Sequence, residues 1–199
     1  MPNPQENAVT QWFGPHFEQL HPLLQGLHRD GGTLRGVVHI DTGRGLAGVL
    51  GRRLAQRLGI PQDCASCDFQ VNIRHEAGAL YWARQFGEGH HMRSVFRPMG
   101  RWPTGYWIEQ TGPLGLRLTV DVIDGGWHWR CTGLRFGGLP LPPWLLPRSR
   151  AFKTVEAGRY RFVVEFVLPV LGRLLCYQGL LEAEPGAVLG SAHHLPQGA

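Results

Sequence analysis

An arginine placed between aromatic residues is the first feature of this sequence that could do chemistry. Trp82, Arg84 and Phe86 occupy alternate positions, and alternate residues of a β-strand point to the same face. A guanidinium flanked by aromatic rings can stack on them or clamp a carboxylate. The sequence therefore makes Arg84 a candidate for holding an anionic group.

Four further residues complete this candidate site. Glu109 lies one predicted strand away from Arg84 and is expected as its partner, either in a structural ion pair or around a ligand. Tyr177, in the last predicted strand, would place a hydroxyl into the same interior, and Trp82 and Trp129 would supply aromatic surface. The alternative is a polar plug that holds strand register, because buried carboxylate–arginine pairs are more often structural than catalytic.

A glycine-rich turn is the second candidate. Gly43, Arg44 and Gly45 follow a predicted strand and open a predicted helix, as in a dinucleotide-binding fingerprint. That fingerprint needs a parallel βαβ unit, whereas the strands that follow this helix meander. Two interpretations stay open: an anion or lipid head group held at the helix N-terminus, and a turn whose glycines only allow close packing.

Metal and nucleophile patterns are weak. Cys64 and Cys67 have the spacing of half a zinc site, but Cys131 and Cys176 stand alone in apolar strands. We therefore expect neither a metal site nor a cofactor. The sequence also lacks a Gly-x-Ser-x-Gly elbow. Catalytic residues stay unassigned, and a protein without enzymatic activity is the favoured expectation.

Charge and composition narrow the classes of partner. The formal net charge is +5, and Lys153 is the only lysine among 20 basic residues. The arginines are scattered and form no basic run interleaved with aromatic residues, so no nucleic-acid binding is expected. The N-terminus lacks a signal-peptide pattern, and no apolar run reaches the length of a membrane span. We expect a cytoplasmic protein with reduced thiols.

The elements that must position these residues are mostly strands. Apolar spacing predicts two helices in the N-terminal third, over residues 11–28 (with Pro22 kinking or splitting the first) and 46–58. A hairpin over residues 114–136 turns at Asp124-Gly125-Gly126 and has one apolar face. Other strands are predicted at residues 33–40, 69–75, 80–86, 92–97, 106–110, 149–156, 159–168 and 173–182.

These elements predict an α+β fold that is mostly β. Strands at short spacing without helical crossovers indicate a curved or barrel-like antiparallel sheet of about 8–10 strands. Residues 11–183 are expected to form a single domain, with flexible tails over residues 1–10 and 184–199. A proline-rich crossing over residues 137–147 should interrupt the sheet.

The order of several short motifs resembles a known bacterial family, Domain of Unknown Function 4166. The motifs are Trp82-Ala83-Arg84-Gln85-Phe86, Met92-Arg93-Ser94, Glu109-Gln110-Thr111-Gly112-Pro113, Gly138-Leu139-Pro140-Leu141-Pro142, Leu146-Pro147, Leu168-Pro169-Val170-Leu171-Gly172-Arg173 and Tyr177-Gln178-Gly179. The resemblance implies a domain found alone, C-terminal to saccharopine-dehydrogenase-like reductases, or in some membrane proteins. It implies no particular activity.

Three functional hypotheses follow. The leading one is non-catalytic binding of a small, partly apolar or anionic ligand inside the curved sheet. The second is an interaction module that docks on a reductase or a membrane protein, as the fused relatives suggest. The third is an enzyme of unknown reaction that uses Arg84 and Glu109.

Overall fold

Ten antiparallel strands close into a β-barrel in the computed structural model, which describes residues 6–142 and 150–186. A two-residue strand, β8, is added to the rim beside β7. The strands are β1 Gly32–Thr42, β2 Ser66–Glu76, β3 Ala79–Phe86, β4 His90–Met99, β5 Tyr106–Thr111, β6 Leu114–Ile123, β7 Gly126–Phe136, β8 Leu139–Pro140, β9 Arg150–Glu156, β10 Arg159–Leu168 and β11 Gly172–Pro185.

Two pairings between strands distant in sequence close the barrel. β1 pairs with β11 along its whole length, from Gly32↔Pro185 to Thr42↔Leu175. β7 pairs with β9, where Trp127 lies opposite Lys153. Among the remaining neighbours, β1 and β2 are connected through helix α3 (Gly45–Leu58), and the others are joined by hairpins. The predicted mostly-β, barrel-like antiparallel fold is confirmed.

The N-terminal helices cover one end of the barrel. They are α1 Ala8–Phe13, a 3₁₀ segment Gly14–Gln19 and α2 Pro22–Asp30. The backbone N–H of Trp102 donates to the carbonyl of Trp12, which fastens α1 to the loop after β4. The sequence predicted one helix that Pro22 would kink or split, and Pro22 starts a new helix there because its fixed φ suits a first turn.

Helix α3 Gly45–Leu58 crosses the opposite end, between the start of β11 and the start of β4. It packs directly on the backbone of the rim, since Gly51 lies against the carbonyl of Leu174 and Gly59 against that of His91. Small residues on this face of α3 therefore set how closely the helix approaches the barrel.

The termini of the domain differ from the predicted tails. Asn7 caps α1 through a capping box with Thr10, so the predicted tail over residues 1–10 overlaps ordered helix. At the other end β11 continues to Pro185, two residues into the predicted tail. Most of the second predicted tail (residues 187–199) and part of the predicted proline-rich crossing (143–149) lie outside the described residues.

Candidate functional site

A small cavity of about 80 Å³ lies inside the barrel. Its walls are mainly apolar, but polar side chains from β3, β5, β9, β10 and β11 enter it. All five residues predicted for an interior ligand site line this cavity: Trp82, Arg84, Glu109, Trp129 and Tyr177. The structure therefore brings together residues that are up to 95 positions apart in the sequence.

Arg84 begins a chain of hydrogen bonds across β3, β4 and β5. Its Nη1 donates to the Ser94 hydroxyl at 2.6 Å, and Ser94 and Thr111 share a hydrogen bond of 2.6 Å. The Thr111 hydroxyl then donates to Glu109 Oε1 at 2.9 Å. The sequence suggested that Glu109 partners Arg84, and the structure connects the two through the two intervening hydroxyls.

The buried guanidinium keeps most of its donors free for another partner. Arg84 is 8% exposed, lies 5.1 Å from the Trp82 ring and forms one hydrogen bond among the described residues. A guanidinium carries five N–H donors in a planar fork that matches a carboxylate. Within residues 6–142 and 150–186 no carboxylate forms a direct ion pair with it.

Lys153 lies in a cage of three tryptophan rings on the opposite wall. Its Nζ is 4.0 Å from the Trp127 ring, 4.5 Å from Trp82 and 5.5 Å from Trp129. The same nitrogen is 2.8 Å from His28 Nε2, which α2 places at the covered end of the barrel. The cage therefore brings a primary amine, an imidazole and apolar walls together without bulk water.

Burial governs the ionisation of this pair. Desolvation, followed by the positive charge of Arg84, lowers the pKa of Lys153 well below its ordinary value, and Glu109 opposes that shift. Desolvation likewise lowers the pKa of His28 well below its ordinary value, with Lys153 as the next cause. Both directions favour a neutral amine and a neutral imidazole at pH 7.

Two tyrosines face the same interior. Desolvation raises the pKa of Tyr177 to about 12 and raises that of Tyr160 even more, while Arg84 opposes both shifts. Each phenol therefore stays protonated at neutral pH and can donate a hydrogen bond. The Tyr160 hydroxyl is buried and has no hydrogen-bond partner within the described part of the chain, so it is a free donor in the cavity wall.

An apolar cleft of about 400 Å³ lies at the rim of the barrel, beside α3. Leu114 and Phe166 line both the cavity and the cleft, so these two side chains stand between the two spaces. Arg53 and Arg57 border the cleft from α3. The remaining lining is apolar: Leu50, Leu54, Leu134, Phe136, Leu141, Leu168 and Leu174.

The glycine-rich turn serves packing. The Gly43 N–H donates to the carbonyl of Leu174, so it is not free to bind an anion. Gly43 also lies against the carbonyl of Arg173, where a Cβ would not fit. Gly45 has φ +56° at the start of α3, and Arg44 is exposed beside it. Close packing was one of the two interpretations of this turn from the sequence, and anion binding at Gly43, Arg44 and Gly45 stays a prediction.

Cys64, Cys67 and Cys176 are free thiols in the structure. Burial, followed by the neighbouring Cys64, raises the pKa of Cys67 to about 11, so this thiol is unreactive at neutral pH. Within the described residues, no group of three or more histidine, cysteine or acidic side chains could hold a metal ion. Every helix described here is too short or too polar to cross a bilayer.

Fold and site define a closed antiparallel barrel with an aromatic interior that contains an arginine and a lysine. The model of the family named domain of unknown function DUF4166 matches residues 20–181, and the chain belongs to that family. No curated protein matches the chain. Function must therefore be argued from the geometry of the barrel.

Sequence reasoning missed five polar residues of this interior, one of which is Tyr160 on β10. Ser94 and Thr111 belong to the motifs that carry the family resemblance, but single hydroxyls in strands give no sequence signal. Lys153 gave a sequence signal. It is the only lysine of the chain, and in a strand it shares one face with the apolar residues Ala151 and Val155. His28 follows the buried helix positions Leu24 and Leu27, at the spacing of the same apolar face.

Proposed function

We propose that the barrel binds an apolar carboxylic acid, with its carboxylate beside Arg84 and its hydrocarbon chain in the rim cleft. The observation that carries this proposal is a buried guanidinium that has no direct carboxylate partner among the described residues, in a cavity that shares Leu114 and Phe166 with the apolar cleft. A buried charge is costly unless it is paired, and a ligand carboxylate would supply the missing partner.

The two volumes support one orientation of the ligand. A cavity of about 80 Å³ has room for a few water molecules or a small polar head group. The cleft of about 400 Å³ lies in the range of small-molecule pockets, roughly 300–1,000 Å³, and has apolar walls. A head group inside the barrel and a chain in the cleft fill both spaces, whereas the reverse orientation would leave the cavity too small for the chain.

The polar residues of the cavity support an anionic head group. The Arg84 guanidinium can bind both oxygens of a carboxylate, and the neutral Tyr160 hydroxyl can donate to one of them. Glu109 accepts from Thr111, so its negative charge is held away from Arg84 by two hydroxyl groups. The electrostatic field beside Arg84 therefore favours a negative charge.

Isothermal titration with dodecanoate tests this proposal. We expect one site in the wild-type protein and affinity about 10- to 100-fold weaker in Arg84→Met, because charge-assisted hydrogen bonds are lost. Arg93→Ala is the matched control, since Arg93 is exposed on the neighbouring strand β4 and should bind like the wild type. Equal affinity in Arg84→Met and Arg93→Ala would contradict the proposal.

The two alternatives from the sequence stay hypotheses, and the same variant separates them. Docking on a reductase or membrane protein uses the outer surface, so Arg84→Met should leave it unchanged. An enzyme that uses Arg84 and Glu109 should lose its activity in that variant. If Arg84→Met loses ligand binding but still binds a partner protein, the interior binds the ligand and the outer surface binds the partner.

A further inference from the structure

We propose that Lys153 is a covalent binding site for apolar aldehydes, which it captures as an imine inside the barrel. The inference rests on the proposed function in so far as both use the same cavity. It adds a different ligand class, a carbonyl compound in place of an acid. It also assigns a function to the Lys153–His28 pair, since carboxylate binding at Arg84 does not require that pair.

The position of the amine suits such a reaction. Lys153 lines the cavity and is 3% exposed, and three tryptophan rings surround its nitrogen at 4.0–5.5 Å. These apolar walls would keep water away from the imine, which water hydrolyses. Lysines desolvated in this way are the ones that form Schiff bases with carbonyl compounds.

His28 supplies the proton acceptor. The Nζ of Lys153 lies 2.8 Å from His28 Nε2, within the reach required of a general base. Burial lowers the pKa of both groups and thereby favours the neutral amine, whose nitrogen carries the lone pair that attacks a carbonyl. Arg84 adds to this effect by its charge, while Glu109 reduces it.

The reaction balances without an oxidant or reductant. The Lys153 lone pair attacks the carbonyl carbon, the C=O π electrons move to oxygen, and His28 takes a proton from nitrogen. The oxygen receives that proton and a second one from the nitrogen and leaves as water, while the nitrogen lone pair closes the C=N bond. The products are one imine and one water for each amine and aldehyde.

Unpartnered polar atoms mark a place for the carbonyl oxygen. Tyr160 is 1% exposed, lines the cavity and has no hydrogen-bond partner for its hydroxyl in the described residues. It lies on β10 opposite Val155, so it is the diagonal neighbour of Lys153 on the inner face. The indole N–H of Trp82, in the same wall, is also unpartnered in the described part of the chain. Either donor would polarise a carbonyl bound beside the amine.

The single lysine allows a direct test on the wild-type protein. The folded chain is incubated at pH 7 with octanal and sodium cyanoborohydride, which reduces imines to stable amines, and the adducts are mapped by peptide mass spectrometry. The α-amino group at the N-terminus is the internal competitor. Its ordinary pKa is near 8, whereas that of lysine is about 10.4, so an ordinary lysine would react less.

The expected result is an adduct on Lys153 that exceeds the α-amino adduct at least about tenfold, with the preference reversed in urea. Adducts confined to the α-amino group of the folded protein would overturn the inference. Lys153→Met should lose only the interior adduct, and the same adduct yield in this variant would overturn it as well. Dodecanoate titration of the same sample tests the proposed function separately, because acid binding without a Lys153 adduct leaves that function standing.

Discussion

Arg84 and Lys153 are two basic side chains buried in one barrel, and they have different surroundings. Arg84 reaches Glu109 only through the hydroxyls of Ser94 and Thr111. The closest polar partner of Lys153 is the imidazole of His28. A buried guanidinium reduces stability unless it is paired, which is why we assign Arg84 to ligand binding.

Replacement of Arg84 distinguishes a binding residue from a polar plug that holds strand register. We expect Arg84→Met to fold with unchanged or higher stability, by as much as about 1–4 kcal/mol, because an apolar side chain replaces a buried charge. Urea unfolding followed by tryptophan fluorescence measures this difference. A clear loss of stability, beyond that of Arg93→Ala, would instead support the plug.

The depressed pKa of Lys153 makes stability depend on pH. The unfolded chain binds a proton on Lys153 up to about pH 10.4, whereas the folded chain releases it at lower pH. Stability therefore rises with pH between the folded and the unfolded pKa. We expect the unfolding free energy of the wild type to rise relative to that of Lys153→Met between pH 7 and 9.5, by up to about 1.4 kcal/mol per pH unit.

The comparison of the two variants cancels the effects of the other groups with shifted pKa values. His28 affects stability below its ordinary pKa of about 6.5, and the two tyrosines act above about pH 10. Cys67 and Cys176, whose pKa values burial raises, act within the window but are present in both variants. Both variants are compared by urea unfolding at each pH. A difference that stays constant or falls would mean that Lys153 is protonated in its tryptophan cage.

At the scale of elements, α3 is the part that shapes the entrance. Glycines on its inner face let the helix lie directly on the backbone of β11, which brings Arg53 and Arg57 to the border of the cleft. A helix held off the rim by larger residues would change the width of this entrance. The spacing of small residues in α3 thus determines access to the cavity.

Two glycine substitutions test this close approach. A Cβ on Gly51 would clash with the carbonyl of Leu174. Gly51→Ala should therefore destabilise the protein and increase the distance between α3 and β11. Gly26 lies in α2 with no atom within 4 Å of a Cβ, so Gly26→Ala should raise stability by about 0.5–1 kcal/mol. Thermal unfolding compares them, and similar Tm shifts in both variants would contradict the packing role.

The sequence predicts elements better than it predicts their closure. Hairpins join strands that are neighbours in the chain, and the turn at Asp124 and Gly125 is visible from residue types. The pairings of β1 with β11 and of β7 with β9 involve strands far apart in the chain, so local patterns do not specify them. Trp82, Arg84, Glu109, Trp129 and Tyr177 could be assigned to one interior because apolar alternation gives the inner face.

Lys153 shows why the rest of the site could not be predicted. Alternation places it on the inner face of β9, but lysine is almost never fully buried, so the general expectation points it outward. Its burial depends on His28 and the three tryptophans, which come from three other elements, α2, β3 and β7. A cage assembled by tertiary contacts leaves no signal in any one segment.

At the scale of the whole molecule, the barrel combines a covered end with an end that offers access. α1 and α2 close the end near His28, while the cleft between α3 and the rim is separated from the cavity by the side chains of Leu114 and Phe166. A ligand that enters from the cleft meets apolar side chains first and Arg84 last. This order suits a molecule with an apolar chain and one acidic end.

Chain length should therefore control affinity. Each methylene that enters the cleft contributes about 0.8 kcal/mol, so affinity should rise roughly fourfold per added CH₂ until the apolar cleft is filled. Isothermal titration with hexanoate, octanoate, decanoate and dodecanoate measures this slope. Equal affinity for all four acids would contradict a chain bound in the cleft.

A crystal structure of the protein with dodecanoate tests the central claim most directly. We expect the carboxylate to lie within hydrogen-bond distance of Arg84, close to the Tyr160 hydroxyl. The hydrocarbon chain of dodecanoate should pass Leu114 and Phe166 into the cleft. A carboxylate bound at the cleft border by Arg53 and Arg57, or a ligand bound only on the outer surface, would contradict it.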